Sequence, residues 1–203
     1  IDLNSFMVRQ DRTLALMAAE LGFADDAAAF GKKAEELAAL VNAKMWDPAT
    51  GLYYDLDTKT GALNKYKTIA SLFPLFGGIP DAERAAALLK RIMNPAEFNT
   101  AIPLPSVSRD DPAFEKDCWR GPVWINTAYM VIVGMEDYGF KSEAGVLSWK
   151  LVDGVYKTYA NTGRLVEFYD PDRFDFVELH RKKGNLYKQI TLGGKPRPNF
   201  VGW

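Results

Sequence analysis

The chain has 203 residues, 48% hydrophobic and 25% charged, with 25 basic against 26 acidic residues and a formal net charge of −1. That is ordinary globular composition, enough for a sizeable core in one large domain or part of a larger one. It excludes a basic nucleic-acid footprint, and the single cysteine, Cys118, excludes an internal disulfide framework.

Ile1 opens directly into a helical pattern, so an earlier start is expected for the natural protein, and no leader peptide is read. Residues 4–21 carry Phe6, Met7, Leu14, Met17 and Leu21 with few polar interruptions. Residues 25–45 place Phe30, Ala34, Leu37, Val41 and Met45 at helical spacing with charges between, and Asp25 or Asp26 is the expected N-cap. Residues 67–76, KTIASLFPLF, are nearly all apolar and contain Pro74, which predicts a short or kinked helix. Residues 81–93 form an amphipathic helix with Leu88, Leu89, Ile92 and Met93 inward. Residues 122–138 are the most apolar segment, with Pro122 suited to a first helical turn. Asn126 and Thr127 interrupt it, and it is too short to span a bilayer. Residues 142–160 are amphipathic again, with Lys150, Asp153 and Lys157 outward.

Helices apolar on every side therefore alternate with amphipathic ones, and a helix apolar all round is covered all round. The links alternate as well. ELGFADD, LFGGIPD and DYGFKSE are short, glycine-bearing and alike, whereas residues 47–66, 94–120 and 161–203 are long. The expectation is an all-α fold of helical hairpins, an α/α toroid, with short turns at one end and long loops at the other. Long loops on a rigid scaffold are where sites sit. Three hairpins do not close a ring of ordinary size, so residues 1–203 read as part of a larger barrel. Upstream sequence or another chain would supply the rest. An open ring would also expose apolar sides of the inner helices.

The long loops share one chemistry: aromatic faces, carboxylates and an arginine. MWDPATGLYYDL offers Tyr53, Tyr54 and Asp55, with LYYDL reading as a short strand; CWRGPVW offers Trp119, Arg120 and Trp124; the last loop offers Glu167, Tyr169, Asp170 and Trp203. Sugars present apolar C–H faces to aromatic planes and hydroxyls to charged groups, and a carboxylate in such a pocket serves as acid or base. Each residue also has a plainer reading. The aromatics suit core plugs, Arg120 suits a loop tie to Asp117 or Asp111, and Glu167 in LVEFY suits the solvent face of a strand. His180 is the sole histidine, so neither a histidine-based triad nor a multi-histidine zinc site is expected, and Cys118 reads as a buried structural thiol. SVSRDDP reads as a turn, lacking the spacing of a calcium loop. No cofactor, metal, nucleic-acid or membrane partner is expected. The single cysteine agrees with a cytoplasmic location and equally with bacterial export.

In chain order, MWDPATGLYYD (45–55), KTIASLFPLF (67–76), LPSVSRDDP (104–112), WRGPVWIN (119–126), EFYDP (167–171) and RPNFVGW (197–203) together resemble glycoside hydrolase family 63. The likeness is to the C-terminal half of its (α/α)6 catalytic domain and to bacterial mannosylglycerate hydrolase-like and α-glucosidase-like relatives. The opening IDLNSF is similar to the family's VDLNS stretch. The resemblance implies an inverting, exo-acting hydrolase of a small α-linked carbohydrate. Glu167, in E-F-Y-D-P, would be general base, and Trp119 and Trp124 would line the sugar subsite with Arg120 nearby. The family's general acid belongs to an S-G-x-D-x-S-like motif upstream of DLNS. No such motif occurs here, and the role is not carried onto Asp2. A carbohydrate-binding or structural helical module therefore stands beside the hydrolase. A terpene-cyclase-like or lyase-like toroid is a third reading, weakened by the missing Asp-rich metal motif.

Overall fold

The computed structural model describes residues 1–181 and 194–200. Its helices are α1 (Asp2–Glu20), α2 (Ala24–Met45), α3 (Phe73–Gly77), α4 (Ala82–Ile92), α5 (Ile125–Asp137) and α6 (Lys141–Thr162). Two small antiparallel hairpins follow α2. β1 (Trp46–Asp47) pairs with β2 (Leu52–Tyr53), and β3 (Asp55–Leu56) with β4 (Leu63–Asn64). The expected LYYDL strand is thus split between two ribbons. Pro74 produces the expected interruption: a 3-10 turn at Ile69–Leu72 runs into the five-residue α3, which has proline at its start, where the missing N–H costs nothing.

The three short turns repeat one geometry. Gly22, Gly78 and Gly139 adopt φ of +81°, +69° and +82°. In each turn the next residue reaches back to close the helix end: Phe23 N–H donates to Ala18 O at 2.8 Å, Ile79 to Pro74 at 3.0 Å, and Phe140 to Met135 at 3.0 Å. Only glycine takes that left-handed position without strain. The reversal starts the outer helix sooner than expected. Phe23, not Asp25 or Asp26, is the α2 N-cap, and the two aspartates sit in the first turn, where they meet the positive end of the helix dipole.

Inside, α1 packs on α3 and α3 on α5; outside, α2 packs on α1 and α6 on α5. The α4 face of Ala85, Leu88 and Ile92 is fully buried, with Leu89 and Met93 packed at its margin, as the periodicity predicts. The inner row is tight. A Cβ on Gly134 of α5 would lie 2.5 Å from Phe76 N and 2.7 Å from Leu75 C. Two expectations are corrected. Pro122 precedes α5, because Val123 and Tyr169 exchange N–H to carbonyl bonds of 2.9 Å in each direction and hold the chain extended; Trp124 becomes the N-cap. Lys150 is not outward, since its ammonium donates to Asn99 O and Oδ1.

Apolar side chains stand exposed at both flanks: Leu3, Leu16 and Met17 on α1, and Trp149, Val152 and Tyr156 on α6. The first set is the expected open inner side; the second lies on an outer helix. No helix among the described residues is long and apolar enough to cross a membrane.

Candidate active site

The long loops gather at the end of the molecule where the inner helices begin, and they are stitched together. Thr68 bridges Val107, Pro105 bridges Val123, and Val123 in turn bridges Tyr169. Gly121 allows the closest approach. Its φ is +128°, and a Cβ there would fall 2.1 Å from Glu115 O. The same glycine donates its N–H to Ser106 Oγ at 3.0 Å. Cys118, just before the WRGPVW segment, has φ +49°, a conformation that non-glycine residues seldom hold. Cys118 N donating to His180 O and Cys118 O accepting from Trp124 Nε1 keep it there.

This frame holds a stack of three rings. Trp119 and Trp124 lie face to face, with centroids 3.7 Å apart and planes 1° from parallel, and Phe168 packs on Trp124 at 5.1 Å. Trp124 is 2% exposed and Trp119 45%. The expectation that both tryptophans wall the subsite is therefore divided: Trp119 presents a face, and Trp124 is its buried backing. Trp119 borders a cavity of about 400 Å³ at the start of the inner row, with Phe6 of α1, Phe73 of α3 and Met130 of α5. Asp2, Ser106 and Asn126 add polar groups to the same wall. Asn126 Oδ1 is buried without a hydrogen-bond partner. None of these three was singled out as a site residue from sequence, although Asp2 and Asn126 stand inside recognisable motifs.

Glu167 is 6% exposed and is not part of that cavity wall among the described residues. It lies in the bend between the bridge residues Val166 and Tyr169, and the next residue, Phe168, completes the ring stack. Its oxygens accept from Arg181, Oε2 from Nε at 2.9 Å and Oε1 from Nη2 at 3.2 Å. The solvent-face reading of Glu167 is thereby overturned. Arg181 stands in a charged run that gave no sequence signal.

The remaining candidates scatter. Arg120 is exposed and pairs with Glu115 at 3.3 Å and Asp117 at 3.5 Å, the loop-tie arrangement. Asp111 instead accepts from Lys67 N and Ala113 N. Tyr53 and Tyr54 are core residues, not cavity walls. The Tyr53 ring packs on Trp46 at 4.8 Å, its hydroxyl donates to Asn42 Oδ1, and burial holds its pKa well above the ordinary tyrosine value. Asp55 is exposed and accepts from Ile1 N. Tyr169 is buried in a separate apolar cavity of about 370 Å³ with Ile125, Leu151 and Phe200, and burial raises its pKa. Trp203 lies outside the described residues.

Asp170 has another role. It is fully buried, and Lys116 Nζ lies 3.0 Å from its Oδ1, with Asp172 and Glu178 at 3.3 Å and 2.7 Å from the same ammonium. The other Asp170 oxygen has no hydrogen-bond partner, and burial pushes the carboxyl above its ordinary value. One lysine thus fastens both ends of the 170–178 loop.

Alternating inner and outer helices, with an indole over a cavity where the inner row begins, define part of an (α/α)6 toroid of the glycosidase kind. The sequence pattern of the mannosylglycerate hydrolase MGH1-like glycoside hydrolase domain matches residues 1–178, and the chain belongs to that family. The resemblance drawn from the six motifs is borne out. The mannosylglycerate hydrolase of Rubrobacter radiotolerans is 32% identical over 172 residues, covering 83% of this chain and 37% of the relative. The solved glycoside hydrolase family 63 mannosylglycerate hydrolase of Thermus thermophilus, in complex with glucose, superposes with a TM-score of 0.73 at 31% identity. That match covers 86% of this chain and 42% of that one. Neutral trehalase Nth1 from Saccharomyces cerevisiae reaches a TM-score of 0.75 at 21% identity over 85% of this chain and 34% of that one, which shows the shared fold alone. The chain thus spans less than half the length of these relatives.

Proposed function

We propose that residues 1–203 form the C-terminal part of the catalytic domain of an inverting, exo-acting α-glycoside hydrolase. Its substrate would be a small α-mannoside or α-glucoside such as a mannosylglycerate or glucosylglycerate. The observation that carries this reading is the Trp119 face over a cavity with polar groups where all three inner helices begin. An indole face suits the C–H side of a pyranose, and the buried carboxylate of Glu167 is the neighbour in sequence of Phe168, which packs on the Trp124 backing of that indole.

In this reading Glu167 takes a proton from water as the water oxygen bonds to the anomeric carbon. The bond from that carbon to the departing oxygen breaks, and a carboxylic acid from the part of the barrel outside this chain protonates the leaving oxygen. The two carboxyl groups would stand roughly 6.5–9.5 Å apart to admit the water.

The test is Glu167→Gln in the full-length chain. Turnover should fall by about 10²–10⁴-fold while the sugar still binds, and parent cleavage followed by anomeric-proton NMR should first release the β anomer. Near-parent turnover in the variant, or first release of the α anomer, would remove the assignment. A second reading, a carbohydrate-binding module without turnover, is favoured by one observation: Arg181 already occupies both Glu167 oxygens. Sugar binding by a full-length chain that cleaves no α-mannoside or α-glucoside would support it.

A further inference from the structure

The first turn of α5 carries two small polar side chains, Asn126 and Thr127, and they are satisfied differently. Thr127 Oγ1 donates to Trp124 O at 3.0 Å, within its own helix end. Asn126 Oδ1 is buried and meets no donor among the described residues. A buried acceptor in that state has given up water and gained nothing in return. Asn126 stands one turn before Met130 on the same face of the helix, and both border the cavity beside Trp119. An orphaned amide oxygen at a cavity wall suits a guest that brings the donor.

The rest of the wall narrows the guest. Asp2 contributes a carboxylate whose Oδ1 accepts from Leu3 N at 2.6 Å. Ser106 Oγ accepts from Gly121 N at 3.0 Å, which leaves its own O–H to donate. No lysine or arginine borders the cavity among the described residues. A carboxylate and a bare amide oxygen without a nearby cation disfavour an anion and welcome hydroxyl protons, while the indole takes a C–H face.

We propose that Asn126 is a specificity-determining residue that reads one hydroxyl of the glycosyl ring. Oδ1 accepts the proton of that hydroxyl while the ring lies against Trp119. A ring that carries hydrogen in place of this hydroxyl, or closes it with a further glycosidic bond, brings no proton and leaves Oδ1 unpaired. The contact therefore selects an unsubstituted terminal sugar, as exo-action requires, and turns a charged aglycone away from this wall. The inference rests on the hydrolase reading above for the identity of the ring and adds the residue that selects it.

The test uses the full-length chain and calorimetric titration with mannose, glucose and their 2-, 3-, 4- and 6-deoxy analogues. The parent should bind one deoxy analogue about 10–100-fold more weakly than the complete sugar. In Asn126→Leu the complete sugar should weaken by a similar factor and the deoxy analogue should lose nothing more, the non-additive outcome of a direct contact. Asn126→Ala, too small to crowd the ring, should lose the same discrimination. The melting temperature of Asn126→Leu should equal or exceed that of the parent, because an apolar side chain replaces an oxygen that had no partner. A parent that tolerates every deoxy analogue overturns the inference, and so does discrimination that survives in Asn126→Ala. A melting temperature that falls in both variants, with affinity for complete and deoxy sugars lost alike, also overturns it, because that pattern belongs to a structural amide. Surviving discrimination in Asn126→Ala beside an inactive Glu167→Gln removes only this inference and leaves the hydrolase reading standing. A parent that neither binds these sugars nor cleaves their α-glycosides removes both.

Discussion

Trp119 and Trp124 are parallel to within 1° at a centroid separation of 3.7 Å, yet only Trp119 reaches solvent. Two residues of one short motif thus have separate duties, presenting a face and backing it.

The division predicts opposite phenotypes. Trp124→Ala should lose about 3–5 kcal/mol of stability, the usual cost of deleting a buried large aromatic. Trp119→Ala should lose only about 0.5–1.5 kcal/mol, the worth of the stack, but weaken monosaccharide binding about tenfold or more. Urea unfolding and calorimetric titration read the two effects. Equal stability losses in both variants would contradict the division.

Lys116 and Asp170 make a pH-dependent prediction. Burial holds the Asp170 carboxyl above its ordinary value, against the hydrogen bond from Asp172 N and the nearby Lys116 ammonium. A raised carboxyl binds its proton more tightly in the folded state. Its contribution therefore favours the fold at acid pH and declines as pH rises from the ordinary carboxylate value through the raised one. Lys116→Met strands the ionised carboxylate and should cost about 3–5 kcal/mol at pH 7. That deficit should shrink as pH falls far enough to protonate Asp170, and Asp170→Asn added to Lys116→Met should recover much of it. A deficit equal at acid and neutral pH would show that the pair does not act this way.

Gly121 supplies a backbone test. Gly121→Ala combines a disfavoured φ with an overlap against a carbonyl rather than a flexible side-chain tip, so it should cost at least about 2 kcal/mol. Gly145→Ala, in the α6 helix with nothing within 4 Å of the new methyl, should instead stabilise by about 0.5–1 kcal/mol. Thermal unfolding of the two variants checks the contrast.

The hairpin order was legible because Gly22, Gly78 and Gly139 recur at equivalent places and the apolar pattern changes character across each. The start of α5 was not. Pro122 satisfies the local rule for a first helical turn, but Val123 is claimed by Tyr169, 46 positions away in sequence, and a distant partner leaves no mark on local spacing. Tyr53 misled for a similar reason: an aromatic after a turn looks the same whether its hydroxyl meets Asn42 in the core or a ligand in a cleft. The motif containing Trp119 marked the right corner of the fold, whereas only packing separates its two indoles. Arg181 was invisible because its meaning depends wholly on Glu167.

The bridges from Thr68 to Val107, from Pro105 to Val123 and from Val123 to Tyr169 carry a lesson for anyone redesigning specificity. Hydrogen-bonded neighbours of this kind are inherited as a set. A chimera that imports one segment from a cousin will meet the other two in the wrong register, whereas grafting all three together preserves the seams.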